Sequence, residues 1–352
     1  MDNEIWNEPS ERRTEVLERL KNICREKLSR DKFPPAFWAF CQAADIGKLE
    51  EMVCDAESVN NRIARRLLEP TITDCASTIA RWLQRMSVSK SANSTTSHSE
   101  RSDSATRNCK KRDNHMCILT KDTDPDAAHI YLNSLLNAST REPDAVERFW
   151  DMLNVFWDES RVQRWKSGIF GNGNTPEKPH HGCFNLLSLD QKVHKLWGDA
   201  KFALRPIEQI DSRTLKVEFH WQRGLSNPVA KVDLLKKPES SRGDNGEPEY
   251  RPITSGDVFT ITTSNPTTMP LPSWALLEMQ WHLQRVAGMS GAAEVENIPD
   301  YDDDDRDTTA IRDDPVELTR RINEWLGIFS HDDESFEVQQ PPIEVRHATM
   351  DS

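Results

Sequence analysis

The hydrophobic positions in the first quarter of the chain recur at the spacing of an α-helix. Between residues 16 and 23, valine, leucine and isoleucine side chains fall on one helical face, while lysines and arginines occupy the other faces. Similar patterns appear over residues 60–68 and 73–86. We therefore predict a helical N-terminal module over residues 1–87.

The stretch that follows, residues 88–108, contains almost no large apolar side chain. It consists mainly of serine, threonine, asparagine and single charges. Such a segment cannot bury enough apolar surface to offset the entropy that ordering would cost. We predict a disordered linker here, and with it the first domain boundary.

Beyond the linker the pattern changes to short apolar runs that are typical of strands. We assign residues 109–292 to one domain of the α+β class, with an insertion over 133–184 that contains a helix beginning near Pro143. A longer helical pattern covers residues 273–289. The predicted strands occupy residues 116–120, 127–132, 202–207, 215–221 and 258–263.

A further helix, which carries His194, is predicted to begin a few residues before it. Ser188 followed three residues later by Gln191 forms a capping-box pattern, which indicates that the helix begins there. Asp190 and His194 are four residues apart, so they share the polar face of this helix.

Composition narrows the class of protein. The chain has 352 residues, of which 36% are hydrophobic and 29% are charged, as in an ordinary soluble protein. The chain contains no run of 18 apolar residues, so we expect no membrane span. The N-terminus lacks the basic and apolar regions of a signal peptide. We therefore expect an intracellular protein, in the nucleus or the cytoplasm, with no membrane partner.

The cysteines argue against a disulfide framework. The chain contains seven of them, an odd number, and none forms a CxxC pair. The spacing of a zinc knuckle is also missing. We expect reduced thiols that are mostly buried.

The net charge of −13 is concentrated at the C-terminus. Residues 294–352 contain 18 acidic and five basic residues, whereas the rest of the chain contains 40 of each. We predict an acidic, largely disordered tail over residues 293–352. The neutral body allows local basic patches against phosphate.

Three local sequences carry the candidate chemistry. Residues 112–117 read Arg-Asp-Asn-His-Met-Cys, and residues 127–131 read Ala-Ala-His-Ile-Tyr. Asn185 and His194 follow, separated by eight residues, so that with His129 the order is His, Asn, His. In this order and context the chain resembles the HNH endonuclease family, in particular a branch common in fungal genomes.

The resemblance implies a fold and a set of roles. The family fold is a β-hairpin packed on a helix around one divalent metal ion (the ββα-metal core), and similarity to the family extends to about residue 292. By resemblance, His129 is the general base that activates water, and His194 is a metal ligand or a phosphate contact. Asn185 either ligates the metal or braces the loop that orients the base.

One position departs from the family pattern. An aspartate or histidine often precedes the base and ligates the metal, but Ala128 occupies that position here. Residues two apart on a strand point to the same side, so Asp126 faces as Ala128 does and is our candidate replacement ligand. The alternative is that Asp126 is a solvated loop acid and that the ion retains more water.

Basic residues near the motif are candidates for substrate binding. Lys192 and Lys195 lie three residues apart on the predicted helix, and Arg112 precedes the first predicted strand. We expect these side chains to contact backbone phosphates. The expected metal is Mg²⁺, with Mn²⁺, Ni²⁺ or Zn²⁺ as alternatives.

These features favour a metal-dependent endonuclease that hydrolyses DNA. A catalytically inactive HNH-fold binding module is the alternative from another class, and an RNase is a third hypothesis. A protein partner would bind through the N-terminal helices or the acidic tail.

Overall fold

The fold combines helices with two antiparallel sheets, as the α+β prediction requires. The computed structural model describes residues 6–7, 9–83, 103–133, 135–136, 143–170, 182–222, 231–236 and 253–292. The predicted acidic tail and residues 88–102 of the predicted linker lie outside these ranges. No helix in the described ranges has both the length and the apolar character that crossing a membrane requires.

Four helices form the N-terminal part of the chain. They are α1 (Glu11–Ile23, continued by a π-helical turn at Cys24–Leu28), α2 (Pro35–Ala43), α3 (Ile46–Ser58) and α4 (Asn61–Trp82).

A capping residue explains where α1 begins, and buried side chains explain why α4 is continuous. Ser10 caps α1, since its hydroxyl oxygen accepts a hydrogen bond from the Arg13 amide at 3.1 Å. Helix α4 runs through Pro70, although the sequence predicted two separate helices. Leu68 and Ile72, one on each side of the proline, are both buried, so one apolar face continues across it.

Helix α5 (Asp103–Arg112) precedes the first sheet. Residues 103–108 belong to its first turns, so the linker prediction is wrong for this part. Ala105 and Cys109 lie four residues apart on α5 and pack against Leu186 in a small separate core, which supplies the burial that the local sequence did not reveal.

The predicted strand at 116–120 is also absent from the structure. Met116 forms an isolated bridge with Thr123, and residues 118–120 form a turn. The amide of Ile118 donates to the carbonyl oxygen of Ser188 at 2.9 Å. This apolar run therefore forms a hydrogen bond to the strand that contains Ser188, but it is not a strand itself.

The other strands form two antiparallel sheets, one of two strands and one of three in the order β3-β4-β5. All three predicted strands of the second sheet are present. The strand predicted at 127–132 is present as β1, but it ends earlier than predicted, at His129. The bounds are β1 Asp126–His129, β2 Leu186–Leu189, β3 Phe202–Asp211, β4 Thr214–Trp221 and β5 Val258–Thr262.

Helices surround these sheets. The insertion between β1 and β2 contains α6, which begins at Pro143 as predicted, and α7. A short 3-10 turn leads into β2, and the predicted helix after the second sheet is present as α9. The bounds are α6 Pro143–Phe156, α7 Glu159–Phe170, the 3-10 turn Cys183–Asn185, α8 Gln191–Gly198 and α9 Trp274–Met289.

One hydrophobic core connects the N-terminal helices to the rest of the described chain. The same cluster of buried side chains contains Val16 from α1, Leu187 from β2 and Leu283 from α9. The rings of Phe40 in α2 and Phe156 in α6 lie 4.9 Å apart, centroid to centroid. The N-terminal helices and the insertion thus form a common support for the two-stranded sheet.

Candidate active site

The candidate site is built on the antiparallel pair β1 and β2, which the 133–184 insertion separates in sequence. In their register Asp126 lies opposite Leu189 and His129 lies opposite Leu186. Ala128 is fully buried, whereas Asp126 and His129 are partly exposed. The hairpin therefore has an apolar side in the core and presents polar side chains at its ends.

Helix α8 follows β2 after a single residue and is fixed at its N-terminus. Asp190 is the N-cap, because its Oδ1 accepts hydrogen bonds from the amides of Lys192 and Val193, each at 3.0 Å. Ser188, predicted as the cap, lies fully buried in β2 instead. The capping-box prediction is wrong by two residues because β2 continues as far as Leu189.

A second contact ties Asp190 to the turn before β1. Thr120 donates its hydroxyl proton to Asp190 Oδ2 at 2.7 Å. Burial by itself raises the pKa of Asp190, but the hydrogen bonds from the Val193 amide and from Thr120 outweigh it and lower that pKa. Asp190 is thus an ionised anchor between the turn and α8, a role that sequence reasoning missed although Asp is a preferred N-cap residue.

Asp126 and His194 meet at the open rim of the hairpin and helix. Asp126 Oδ2 lies 3.3 Å from His194 Nδ1, although 68 positions separate the two residues in sequence. Their side chains keep 39% and 40% of their surface exposed. The ligand role of Asp126 stays a prediction, and both side chains are accessible to an incoming ligand.

His129 is the last residue of β1 and is held against α8 through its backbone. Its carbonyl oxygen accepts a hydrogen bond from the indole nitrogen of Trp197 at 3.0 Å. Alternation along the strand directs its imidazole away from the buried face on which Ala128 lies, and the residue is partly exposed. The strand end that carries His129 and the helix that carries His194 are therefore adjacent.

Asn185 is a bracing residue in this structure. Its Oδ1 accepts from the Tyr131 amide at 2.7 Å, and its Nδ2 donates to the Tyr131 carbonyl oxygen at 2.8 Å. The side chain is buried, and its amide is already paired with the main chain just after His129. The expected metal-ligand role of Asn185 is therefore corrected, and the bracing alternative fits the contacts.

The expected phosphate contact at Arg112 is wrong as well. The Arg112 side chain is fully buried and forms an ion pair with Asp113. It also donates to the carbonyl oxygens of Cys183 at 3.1 Å, Leu186 at 2.8 Å and Pro270 at 3.1 Å. A guanidinium with these partners stabilises the entry into β2 and has no access to substrate.

The two lysines of α8 are placed as expected. Lys192 and Lys195 are both exposed on the helix that carries His194. Lys195 pairs with Asp199 at 3.2 Å, but 69% of its side chain is exposed, so the pair is a weak surface contact. Both ammonium groups are accessible to an anion.

The donor atoms at the rim suit a partly hydrated divalent cation. A carboxylate from Asp126 and an imidazole from His194 are both common metal ligands, and Mg²⁺ typically binds one or two carboxylates while it retains water. In the described part of the chain no group of three or more His, Cys, Asp or Glu side chains forms a complete metal cage. The pair therefore fits a cation that takes its other ligands from water and phosphate.

This hairpin, with a helix packed at its end and an Asp–His pair at the rim, is the ββα arrangement that the sequence predicted. Residues 117–205, which include β1, the insertion, β2 and α8, match the family model described as HNH endonuclease. The chain therefore carries an HNH endonuclease domain in this segment. No match was found among the curated proteins or among the solved structures.

Proposed function

We propose that this protein is a metal-dependent endonuclease that hydrolyses phosphodiester bonds of DNA. The observation that carries the proposal is the approach of Asp126 to His194 at 3.3 Å, at the rim of a hairpin–helix unit whose sequence matches the HNH endonuclease family. Two side chains that are distant in sequence present metal-binding atoms at one exposed point.

In this proposal Asp126 and His194 hold the cation. A bound divalent ion stabilises the charge that develops on the scissile phosphate and on the leaving oxygen. Asp126 supplies a carboxylate oxygen and His194 supplies a ring nitrogen. The mixed donor set is compatible with Mg²⁺ and also with Mn²⁺, Ni²⁺ or Zn²⁺, and the test below distinguishes among them.

His129 is the proposed general base. A neutral imidazole accepts a proton from water near physiological pH, which is the first requirement for hydrolysis by a water molecule. The Trp197 indole holds the His129 carbonyl oxygen, and the Asn185 amide holds the main chain of Tyr131 two residues later. These contacts fix the backbone on which the base is carried.

Lys192 and Lys195 are the proposed phosphate contacts. They lie three residues apart on α8, so both ammonium groups project from the helix that also carries His194. Contacts of this type orient a nucleic acid without reading its sequence. These contacts fit the phosphate backbone of the proposed DNA substrate and imply no base preference.

The test is cleavage of supercoiled plasmid DNA by the full chain with Mg²⁺, Mn²⁺, Ni²⁺ or Zn²⁺ supplied in turn. We expect cleavage with at least one ion and a loss of about 100-fold or more in His129→Ala, the usual size of a general-base contribution. His115→Asn is the matched control, since His115 is an exposed histidine with a φ of 57° that asparagine tolerates. Cleavage that persists in His129→Ala contradicts the proposal.

A binding module is the second candidate function, and helix α4 provides the observation that favours it. Ile63 and Leu67 lie four residues apart on α4 and are exposed. Arg62 and Arg66 beside them are also exposed and form no ion pair with any residue that the structure describes, whereas Arg12 on α1 pairs with Glu50 at 2.8 Å. An apolar surface with unpaired cations is typical of a contact site for an acidic partner.

The plasmid experiment separates the two functions. An active enzyme cleaves with at least one ion, whereas a binding module cleaves with none. RNA supplied under the same conditions tests the RNase hypothesis, and preferential cleavage of RNA would replace DNA as the proposed substrate.

A further inference from the structure

Two cysteines that are distant in sequence meet beside the candidate site. Cys109 lies near the end of α5, and Cys183 begins the 3-10 turn that contains Asn185. Both side chains belong to the same small buried cluster. Each sulfur also lies 3.5 Å from a nitrogen of the same Arg112 guanidinium, Cys109 from Nη2 and Cys183 from Nη1.

The surroundings keep both thiols enclosed but not equally. Cys109 is completely buried, with its sulfur 3.5 Å from the Ser188 hydroxyl. Cys183 retains 4% of its surface and lies 3.6 Å from the Pro270 carbonyl oxygen, to which its thiol donates. Cys183 is therefore the sulfur that a small reagent reaches first.

The surroundings shift the pKa values of the two thiols in opposite directions. The hydrogen bond from Cys109 lowers the pKa of Cys183, and the positive charge of Arg112 lowers it further against the opposing effect of burial. The same hydrogen bond, together with burial, raises the pKa of Cys109. Cys183 is the nucleophilic partner and Cys109 is the thiol that stays protonated beside it.

Three other buried cysteines form a natural comparison in the N-terminal helices. Burial raises the pKa of Cys24 to about 12, and it also raises the pKa of Cys41 and of Cys75. Each of the three is buried in the main core, where burial outweighs the charges of Arg30 near Cys24 and of Arg13 near Cys41. At the Cys109–Cys183 pair, one guanidinium contacts both sulfurs at 3.5 Å.

We propose that Cys109 and Cys183 are a redox modification site at which a hydroperoxide drives formation of a disulfide between α5 and the turn that precedes β2. The geometry that supports this is the contact of both sulfurs with the Arg112 guanidinium and their burial in one small cluster. A dithiol of this kind inside a larger protein is typical of redox sensing rather than of a structural framework.

The chemistry balances with one equivalent of hydrogen peroxide. The Cys183 thiolate attacks one peroxide oxygen and breaks the O–O bond, which gives a sulfenic acid and, after protonation, water. The Cys109 thiol then loses its proton as its sulfur attacks the Cys183 sulfur. The S–O bond breaks and a second water leaves, so that two thiols are oxidised and one peroxide is reduced to two waters.

The disulfide would connect the two halves of the candidate site. The segment between Cys109 and Cys183 contains β1 with Asp126 and His129, and Asn185 lies two residues beyond the link. Closing a loop of this length constrains the unfolded chain and holds the entry into β2 on α5. The proposal concerns thiol chemistry and does not depend on the proposed nuclease function.

The test uses the full chain with Cys54→Ser, because Cys54 is the exposed thiol of the described residues and would otherwise link two molecules. After exposure to hydrogen peroxide the remaining thiols are alkylated under denaturing conditions, and the protein is digested without reduction. We expect a crosslinked Cys109–Cys183 peptide whose mass is lower by two hydrogens. We also expect unmodified sulfur at Cys24, Cys41 and Cys75 before alkylation.

One further variant and a second measurement complete the test. Cys109→Ser in the same background leaves Cys183 without its resolving thiol, so sulfenic acid at Cys183 is expected to be trapped by dimedone. The crosslink is also expected to raise the melting temperature by roughly 5 °C relative to the reduced protein. Full alkylation of both cysteines after peroxide treatment would overturn the proposal, and so would a crosslink that forms equally well between cysteines of the N-terminal helices.

Discussion

Arg112 and Asp113 are neighbours in sequence and form a bidentate ion pair that is removed from solvent. Arg112 Nε lies 2.7 Å from Asp113 Oδ1, and Arg112 Nη2 lies 2.8 Å from Asp113 Oδ2. Asp113 Oδ2 also accepts a hydrogen bond from the Ser188 amide at 3.1 Å, so the pair connects α5 directly to β2. The residue first expected to touch phosphate thus holds the hairpin in place.

Loss of the guanidinium should therefore appear as loss of stability. Arg112→Ala leaves Asp113 buried without its partner, and breaking such a pair costs about 3–5 kcal/mol of unfolding free energy. Urea unfolding of the full chain measures this difference. Arg107→Ala is the control, because Arg107 is exposed on the same helix, and a loss as small as the control's would contradict the buried role.

Asp126→Asn tests the replacement metal ligand. The amide keeps the shape of the side chain but removes its charge, so we expect the affinity for Mn²⁺ to fall by at least about tenfold in calorimetric titration. Asp122→Asn is the matched control, since Asp122 is an exposed acid four residues earlier. Equal affinity in Asp126→Asn and the wild-type chain would remove Asp126 from the ligand set.

Asn185→Ala distinguishes a brace from a ligand. The substitution leaves the amide and the carbonyl oxygen of Tyr131 without their partners, and each unsatisfied buried group costs about 1–3 kcal/mol. We expect a lower unfolding free energy in urea with little change in affinity for Mn²⁺. Asn108→Ala, which removes one exposed hydrogen bond to the Thr268 carbonyl oxygen, is the control. A stable variant with weakened metal binding would restore the ligand role.

The lowered pKa of Asp190 predicts a pH dependence with a defined sign. The stability that Asp190 contributes as a carboxylate is present above the ordinary aspartate pKa of about 3.9 and is lost as the pH falls through the lower pKa of the folded state. Asp190→Asn can still cap α8, so at pH 7 it should cost only about 1 kcal/mol or less.

The measurement is the unfolding free energy of both proteins at neutral and at acid pH. The difference between wild type and Asp190→Asn should shrink as the pH decreases below the ordinary aspartate pKa. A difference that stays constant with pH would show that the charge of Asp190 adds nothing, and Asp122→Asn provides the baseline for an exposed acid.

The lysines of α8 are tested by the salt dependence of DNA binding. Each phosphate contact releases counterions, so Lys192→Gln and Lys195→Gln should each reduce the slope of log affinity against log salt by about 1. Lys216→Gln on β4, whose lysine pairs with Glu208 at 2.8 Å, is the control. Unchanged slopes in both α8 variants would show that neither lysine contacts a phosphate.

The sequence by itself determined the elements that depend on local pattern. The periods of helix and strand predicted α1, α6, α9 and the three strands of the second sheet, because apolar spacing acts over a few residues. The order and spacing of His129, Asn185 and His194, together with the residues around them, were sufficient to identify the hairpin and the helix of an HNH domain.

Only the tertiary structure decided which polar side chains are exposed and which are structural. Arg112 reads as an ordinary surface cation until the carbonyl oxygens of Cys183, Leu186 and Pro270 surround it. Asp126 reads as a loop acid until the fold brings His194 Nδ1, on α8, to 3.3 Å from its carboxylate. Burial, and most of the hydrogen-bond partners of a buried charge, come from residues far apart in the chain, so the free energy of a charged group depends on those contacts as well as on its neighbours in sequence.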